Sequence, residues 1–523
     1  MRWWNVAATV VVVMVVVQEV DASNILILAP IGTRSHKIFY MAIAEVLAAR
    51  NHKVTFVTGY KSSKNTTNIR EVFLPDGEMY RNVPNMFTST QNELFIKLAM
   101  DMPKSCANAL GSEAIQGIKE EHYDLVMLSV VMTECLYSLI HKLQVPYIHL
   151  HPMALTAINS DVAHSVHFSS MVPNVFLNLI YPLSFTERIY NAIYDATFNL
   201  FYHLVLFSMM EAECRQMKLC QEDTPLSQIR LNGTLFIINS VEALEIPIRP
   251  YTATVVHAGG IHCRPAQPLP QELEDWVAEA GDAGFIFFSL GSVVKASTMP
   301  EEYRRVLVEV FASLKQRVLW KWDEETMEDL PANVRLAKWI PQQDILGDPR
   351  LRLFITHGGL LSSQEATYHG VPLLGIPVFA DQQYNVRQIR MEGWGRFVHW
   401  KDLTYDTLRQ PILEILQDTK IREVVTRRQA VMKDQPMSPG QWMTYWVEYA
   451  LRHGGAPHLR SPFATMPWYK MYNVDVWLLV LVVSTLAVIL TFFILRAFLH
   501  AFICAFPRAV YTRLSTLTKY KKQ

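Results

Sequence analysis

The chain is poor in three things, and each shortage removes a class of function. It has no excess charge: across 523 residues, 48 basic side chains balance 48 acidic ones. Nothing in its overall field therefore selects nucleic acid or an acidic polymer as partner. It has six cysteines and no CxxC pair, which removes the cysteine-based metal and redox motifs. Cys214 and Cys220 stay open between a disulfide and two free thiols. It also lacks any metal-ligand spacing, since His149, His151, His164 and His167 fit no zinc template and Asp323, Glu324 and Glu325 read as an acidic surface run. No metal and no cofactor is expected. Apolar character, by contrast, is plentiful: 50% of the residues are hydrophobic, and the length suffices for two full domains.

Both ends carry apolar runs of different kinds. Arg2, the run Val6 to Val17 and the small residues near Ala22 make residues 1–22 a secretory signal pattern. Trp477 to Leu495 contains no charge and is long enough to cross a bilayer. Beyond it Arg496, Arg508, Arg513, Lys519, Lys521 and Lys522 occur without an acidic residue, so the tail 496–523 is expected on the cytoplasmic side. The bulk of the chain is then lumenal, in a single-pass type I arrangement. Two acceptor sequons, at Asn65 and Asn232, fit a secretory compartment.

Between the ends the pattern is that of parallel-sheet domains. Asn24 to Pro30 predicts a buried strand, Tyr40 to Arg50 a helix and Lys53 to Thr58 a second strand, the start of a βαβ unit. Asp124 to Ser129, Tyr147 to Leu150 and Asn232 to Asn239 continue the series. From Ile246 the chain turns rich in Pro and Gly, and residues 246–283 read as a linker between a first domain, 23–245, and a second, 284–455. Phe285 to Leu290, the helix from Glu301 to Lys315 and the strand Val318 to Trp322 open that second α/β half. The aromatic-rich stretch from Val172 to Met210 is left open between acceptor pocket, bilayer contact and ordinary core helix.

The segment from Trp339 to Gln382 (WIPQQDILGDPRLRLFITHGGLLSSQEATYHGVPLLGIPVFADQ) carries the chemistry. Trp339 offers a π-face to a base, and Gln342 is placed to bond the base edge. His357, Gly358 and Gly359 end a strand and open a helix, where free N–H groups and the helix dipole attract a diphosphate. Glu365, on that helix, offers a carboxylate to ribose hydroxyls. Asp381 and Gln382 follow the next strand, and strand ends are where open α/β sheets bind ligands.

This segment resembles the signature of the UDP-glycosyltransferase family, with Trp339, Gln342, His357, Gly359, Ser362, Glu365, Asp381 and Gln382 at family positions. The GGLLS wording is similar to insect members, although many members have Asn where this chain has Leu361. The resemblance covers nearly the whole mature chain. It implies the GT-B fold, in which two Rossmann-like domains face each other across a cleft, with a last helix crossing back to the first domain. It implies inverting transfer of a hexose, glucose favoured, from UDP-glucose to hydroxyls of small lipophilic acceptors in detoxification. UDP-glucuronate is the alternative donor. The terminal lysines are similar to the dilysine tails of the family, which imply residence in the endoplasmic reticulum, though Tyr520 breaks the usual spacing. Homo-oligomerisation stays open.

The resemblance also assigns His36, in Arg34-Ser35-His36, as the base, and a histidine suits that task because its ordinary pKa of about 6.5 lies near working pH. Ser292, in the Gly291-Ser292 turn, His357 and N–H groups near Ser362 would assist the departing UDP, while Asp381 and Gln382 would hold sugar hydroxyls. One departure is sharp. Where many members have an acidic residue that bonds the histidine, this chain has Ser129, and Glu134, five residues on, is the candidate to replace it. A binding protein that keeps the UDP-sugar fold but turns over weakly is the rival reading that Ser129 motivates.

Overall fold

A computed structural model describes residues 22–61, 66–81, 83 and 85–520. The signal pattern, Asn65, Lys521 and Lys522 lie outside the described residues. Residues up to Ala464 form one compact unit and Thr465 onward a second.

Two all-parallel sheets organise the first unit. The first contains β1 (Asn24–Ala29), β2 (Lys53–Thr58), β3 (Ile69–Phe73), β4 (Leu125–Ser129), β5 (Tyr147–His151), β6 (Phe236–Ile238) and β7 (Val255–His257), in the order β3-β2-β1-β4-β5-β6-β7. The second contains β8 (Phe285–Ser289), β9 (Arg317–Lys321), β10 (Val334–Ala337), β11 (Leu351–Thr356), β12 (Leu373–Gly375) and β13 (Gly395–Phe397), in the order β10-β9-β8-β11-β12-β13. The central strands are nearly continuous apolar runs because helices cover both sheet faces. NILILA in β1 and FIFFS in β8 are buried almost throughout, and each sheet carries an apolar cluster on either side. This is the two-domain Rossmann-like arrangement expected from the sequence.

The order of strands reverses between β1 and β4 in one sheet and between β8 and β11 in the other. At such a switch point the two flanking loops diverge and leave a crevice at the carboxyl edge. Two crevices are therefore built into the topology, one flanked by the loop before His36 and by Ser129, the other by Gly291-Ser292 and His357.

Two expectations need correction. The first helix, α1 (Arg34–Ala49), starts six residues before Tyr40 because Thr33 caps it, its hydroxyl accepting from the His36 N–H at 3.3 Å. His36 thus sits in the first turn of a helix. The segment read as linker, 246–283, supplies β7 to the first sheet and a helix at Gln271–Ala278. Three residues among prolines and glycines gave too short an apolar run to register as a strand.

In the second domain α2 (Leu360–His369) follows β11 and α3 (Gln382–Glu392) follows β12. The last helix, α4 (Pro439–Arg452), returns to the first domain. Its Met443, Val447 and Ala450 pack with Phe39 and Ile43 of α1, and Glu448 accepts from Arg50 at 3.0 Å. A second tether runs the other way: Met86 and Leu94 join the core of the second domain, Phe87 meets Trp400 edge-on at 5.1 Å, and Asn85 donates to the Thr298 carbonyl at 2.9 Å.

Disulfides join Cys214 to Cys220 and Cys106 to Cys135. The first was left open by the sequence and the second was not foreseen. The side chain of Asn232 is exposed, while Thr234 of its sequon is buried and donates to the Gly455 carbonyl at 2.6 Å. The helix Phe185–Phe201 places Phe185, Ile189, Ile193 and Leu200 on the surface. In the second unit, one helix runs from Val474 to Tyr520, with its apolar part spanning Val474–Cys504. It begins three residues before Trp477 and continues into the basic tail as far as Tyr520.

Candidate active site

The donor-side residues converge on the carboxyl edge of the second sheet. At the end of β11 the His357 ring lies between two glycine backbones. A Cβ on Gly291 would sit 2.6 Å from its Cε1, and one on Gly359 would sit 2.5 Å from its Nε2. Only glycine lets both loops approach so closely, and Gly291 also has φ +81. Burial, and then the Lys321 charge, push the His357 imidazole down to about 4, so it is neutral at working pH and its N–H can donate. Ser292 is exposed beside it.

Gly359 is the N-cap of α2 and no side chain caps that helix. Its first N–H groups therefore stay available for an anion. Leu361 is buried in this turn and presents no polar group to a ligand.

One turn further, Glu365 is 6% exposed. Its carboxylate accepts from the Gln342 amide, which also reaches the Ser362 hydroxyl at 3.2 Å. Gln342 was expected to read a base edge; here its N–H groups hold Glu365 in place. Burial dominates the opposing effect of that hydrogen bond and pushes the Glu365 carboxyl up to about 7. Trp339 is 72% exposed, a large apolar face left in solvent at the mouth of the same loop.

Asp381 precedes α3. Asn385 links its Oδ2, at 2.7 Å, to the Gly358 carbonyl, at 3.0 Å, and so joins the two donor loops. Burial raises the Asp381 carboxyl above its ordinary range. Gln382 departs from expectation: its carbonyl accepts from the Val378 and Phe379 N–H groups at 2.8 and 3.0 Å. It closes the loop before α3 with the atom expected to meet the sugar.

Three donor-side residues were not anticipated. Lys321 ends β9 and donates to the Gly291 carbonyl at 2.8 Å. Burial lowers its pKa, helped by Arg34 of the first domain, and its amine lies close enough to His357 to help keep that imidazole neutral. His262, from the stretch read as linker, places Nε2 3.7 Å from Glu365 Oε1. Asn385 completes the set. A basic residue in the last position of a parallel strand was the one available signal, for Lys321; His262 and Asn385 carried none.

On the acceptor side His36 is half-buried and its Nδ1 has no hydrogen-bond partner. Burial, with a smaller contribution from His151 at the end of β5, pushes its imidazole down to about 4. Ser129, fully buried at the end of β4, shares a 2.8 Å hydrogen bond with the Tyr40 hydroxyl. Tyr40 is one helical turn beyond His36 and shares its face of α1. Glu134 does not serve His36. It is buried, accepts from the Tyr202 hydroxyl, and burial raises its carboxyl above the usual range. The turn after β4 carries it into a cluster with Tyr202 and Arg230, held from the other side by the pairing of Arg230 with Asp161.

The two edges meet. Gln364 of α2 donates to the Asn239 carbonyl beyond β6 at 3.4 Å, and Tyr80 stacks edge-on against Phe379 at 5.2 Å. The arrangement can hold an anionic nucleotide on the second sheet and present a neutral imidazole from the first.

A family model described as "UDP-glucoronosyl and UDP-glucosyl transferase" matches residues 10–505. UDP-glycosyltransferase UGT5 of Dactylopius coccus is 29% identical over 487 residues, covering 89% of this chain and 90% of that protein. Human UDP-glucuronosyltransferase 2B7 is 28% identical over 483 residues, covering 87% and 90%. Among solved structures, the calicheamicin glycosyltransferase CalG4 superposes with a TM-score of 0.59 at 17% identity, covering 83% of this chain and 99% of that one.

Proposed function

The chain belongs to the family of UDP-glucuronosyl and UDP-glucosyl transferases, and from that premise we propose that it transfers a hexose, glucose favoured, from a UDP-sugar to hydroxyls of small lipophilic acceptors. Transfer proceeds with inversion and serves detoxification. Trp339 stacks on the uracil, Glu365 takes the ribose hydroxyls, and the uncapped start of α2 with Ser292, Ser362 and His357 holds the diphosphate. Lys321 adds a positive charge beside it. Asp381 meets the sugar, while Gln382 shapes the loop that presents it. His36 receives the acceptor proton as the acceptor oxygen attacks the anomeric carbon, and the electron pair of the breaking bond leaves with UDP. No metal is needed in this scheme, because protein N–H groups and Lys321 face the charge that develops on the leaving group.

The observation that carries the reading is the pairing of crevices, a neutral imidazole at one switch point and an uncapped helix start with Glu365 at the other. The chain is read as membrane-anchored by its C-terminal helix, with its catalytic domains in the lumen of the endoplasmic reticulum.

The test is product formation by membranes carrying the full chain, given UDP-glucose or UDP-glucuronate and a panel of phenols. Glucosides formed by the wild type and lost in His36→Ala, with UDP affinity kept, support the scheme. The orphaned His36 ring favours one other reading, a UDP-sugar-binding protein with little turnover. Measurable UDP binding with no product from either donor would select it.

A further inference from the structure

A base that takes a proton becomes a cation, and the surroundings decide how costly that is. Among the described residues no hydrogen bond to Nδ1 and no neighbouring carboxylate favours the His36 cation. Nδ1 has no hydrogen-bond partner, and the neighbouring imidazole of His151 disfavours a second positive charge. His151 is itself fixed, with Nδ1 3.2 Å from the Met153 carbonyl and Nε2 3.3 Å from the Asn159 amide. The hydroxyls that share its neighbourhood are engaged with each other, Thr33 with Ser35 at 2.8 Å and Tyr40 with Ser129 at 2.8 Å. Glu134, five residues beyond Ser129, is turned towards Tyr202. In serine proteases, disabling the carboxylate behind the catalytic histidine lowers turnover by about 10⁴.

We propose that Ser129 is a specificity-determining residue that confines this transferase to acceptors with an acidic hydroxyl, phenols and enols, and excludes aliphatic alcohols. The inference rests on the transferase reading above. The step balances without further reagents: the acceptor O–H proton passes to His36 Nε2, the acceptor oxygen bonds the anomeric carbon, and the bond from that carbon to the UDP oxygen breaks with its electron pair on UDP. With an acidic hydroxyl the proton is largely released as attack begins, and His36 need carry little positive charge. With an alkanol the full imidazolium must form in a pocket that offers it neither hydrogen bond nor counter-charge.

The experiment is an acceptor series on the full-length, membrane-inserted enzyme: nitrophenol, phenol, methoxyphenol and a phenylalkanol of similar size. For the wild type, kcat/KM is expected to fall about 100-fold or more from nitrophenol to the alkanol, the range general-base contributions span. In Ser129→Asp combined with Tyr40→Phe, which supplies a carboxylate and removes the hydroxyl now bonded to Ser129, the ratio of alkanol to nitrophenol rates should rise at least about tenfold. A wild type that uses the alkanol as readily as nitrophenol overturns the inference while leaving the transferase reading intact, whatever the variant does. A wild type that binds UDP but transfers sugar to no acceptor overturns both. A double variant that binds UDP and shows an unchanged ratio removes Ser129 as the cause.

Discussion

Replacing Glu365 by Gln should stabilise the protein while weakening its hold on UDP. The carboxyl is 6% exposed, and burial pushes it from 4.5 up to about 7, against smaller opposing effects from Gln342, Arg264 and Lys321. A carboxyl raised in the folded state binds its proton more tightly there than in the unfolded chain. Stability is therefore untouched below about pH 4.5, falls as pH rises towards 7, and stays reduced above it. Moving a carboxyl from 4.5 to about 7 converts to about 3 kcal/mol, an upper bound because the unfolded-state reference is idealised. Glu365→Gln carries no charge at any pH and keeps a carbonyl for the Gln342 amide, so it escapes that loss. Urea unfolding of the detergent-solubilised full chain is the assay, wild type against variant from pH 4.5 to 8. The two should unfold alike at pH 4.5, and the variant should gain up to about 3 kcal/mol by pH 8. Its UDP affinity should fall about tenfold or more, since a charged acceptor of the ribose hydroxyls is replaced by a neutral one. A variant less stable at pH 8, or a difference that does not change with pH, would refute the argument that burial of this carboxylate is held at a cost for the sake of the ligand.

Substitutions at Trp339, Gly291 and Gln382 probe other parts of the donor site. Trp339→Ala should weaken UDP binding by about 1–3 kcal/mol, measured by calorimetry, with unfolding unchanged because the indole is 72% exposed. Gly291→Ala combines a backbone at φ +81 with a Cβ 2.6 Å from His357, so it should lose about 1–2 kcal/mol of stability and most UDP affinity. Gly281→Ala, at φ +52 with open space around the new carbon, should show only the loss of stability. Gln382→Ala leaves the Val378 and Phe379 N–H groups unpaired and should lower stability by about 1–3 kcal/mol in urea unfolding. Gln382→Glu, which keeps an acceptor oxygen, should recover most of it at acid pH, where its buried carboxyl carries no charge.

The element order of the candidate donor segment was legible in the sequence because its parts are local. Strand end, glycine turn, helix start and carboxylate succeed one another within Trp339 to Gln382, and topology brings that segment to the switch point beside β8. Which atom of each residue faces a ligand was not legible: Gln342 and Gln382 turn hydrogen-bonding atoms inward to Glu365 and to the loop backbone, a choice set by packing. The start of α1 was missed although Thr33 is a good cap, because the apolar periodicity begins only at Phe39 and Tyr40. Lys321, His262 and the Cys106–Cys135 disulfide are non-local, joining residues whose neighbours are set by sheet order. Glu134 follows Ser129 by five residues, but a short turn at Glu134–Leu136 carries it away.

The two halves of the cleft differ in how their polar groups are tied, and that difference separates two observables. On the donor side Gln342, Gln382 and Asn385 bind the loops that face the nucleotide to one another. Such a network fixes geometry before the ligand arrives, so binding loses little freedom there. On the acceptor side the ring expected to act as base is not tied in this way: among the described residues His36 Nδ1 has no hydrogen-bond partner. His36, Ser129 and Tyr40 belong to the first domain rather than to the donor loops of the second, and substitutions at Ser129 or Tyr40 should therefore leave UDP affinity alone. They act on the proton that leaves the acceptor, a step whose charge appears only as the bond is made, so their effect falls on turnover and on the ranking of acceptors. Affinity for the nucleotide is then a property of the second domain and acceptor range a property of the first. The narrowness of that range follows from a polar environment around His36 that was never closed by a carboxylate.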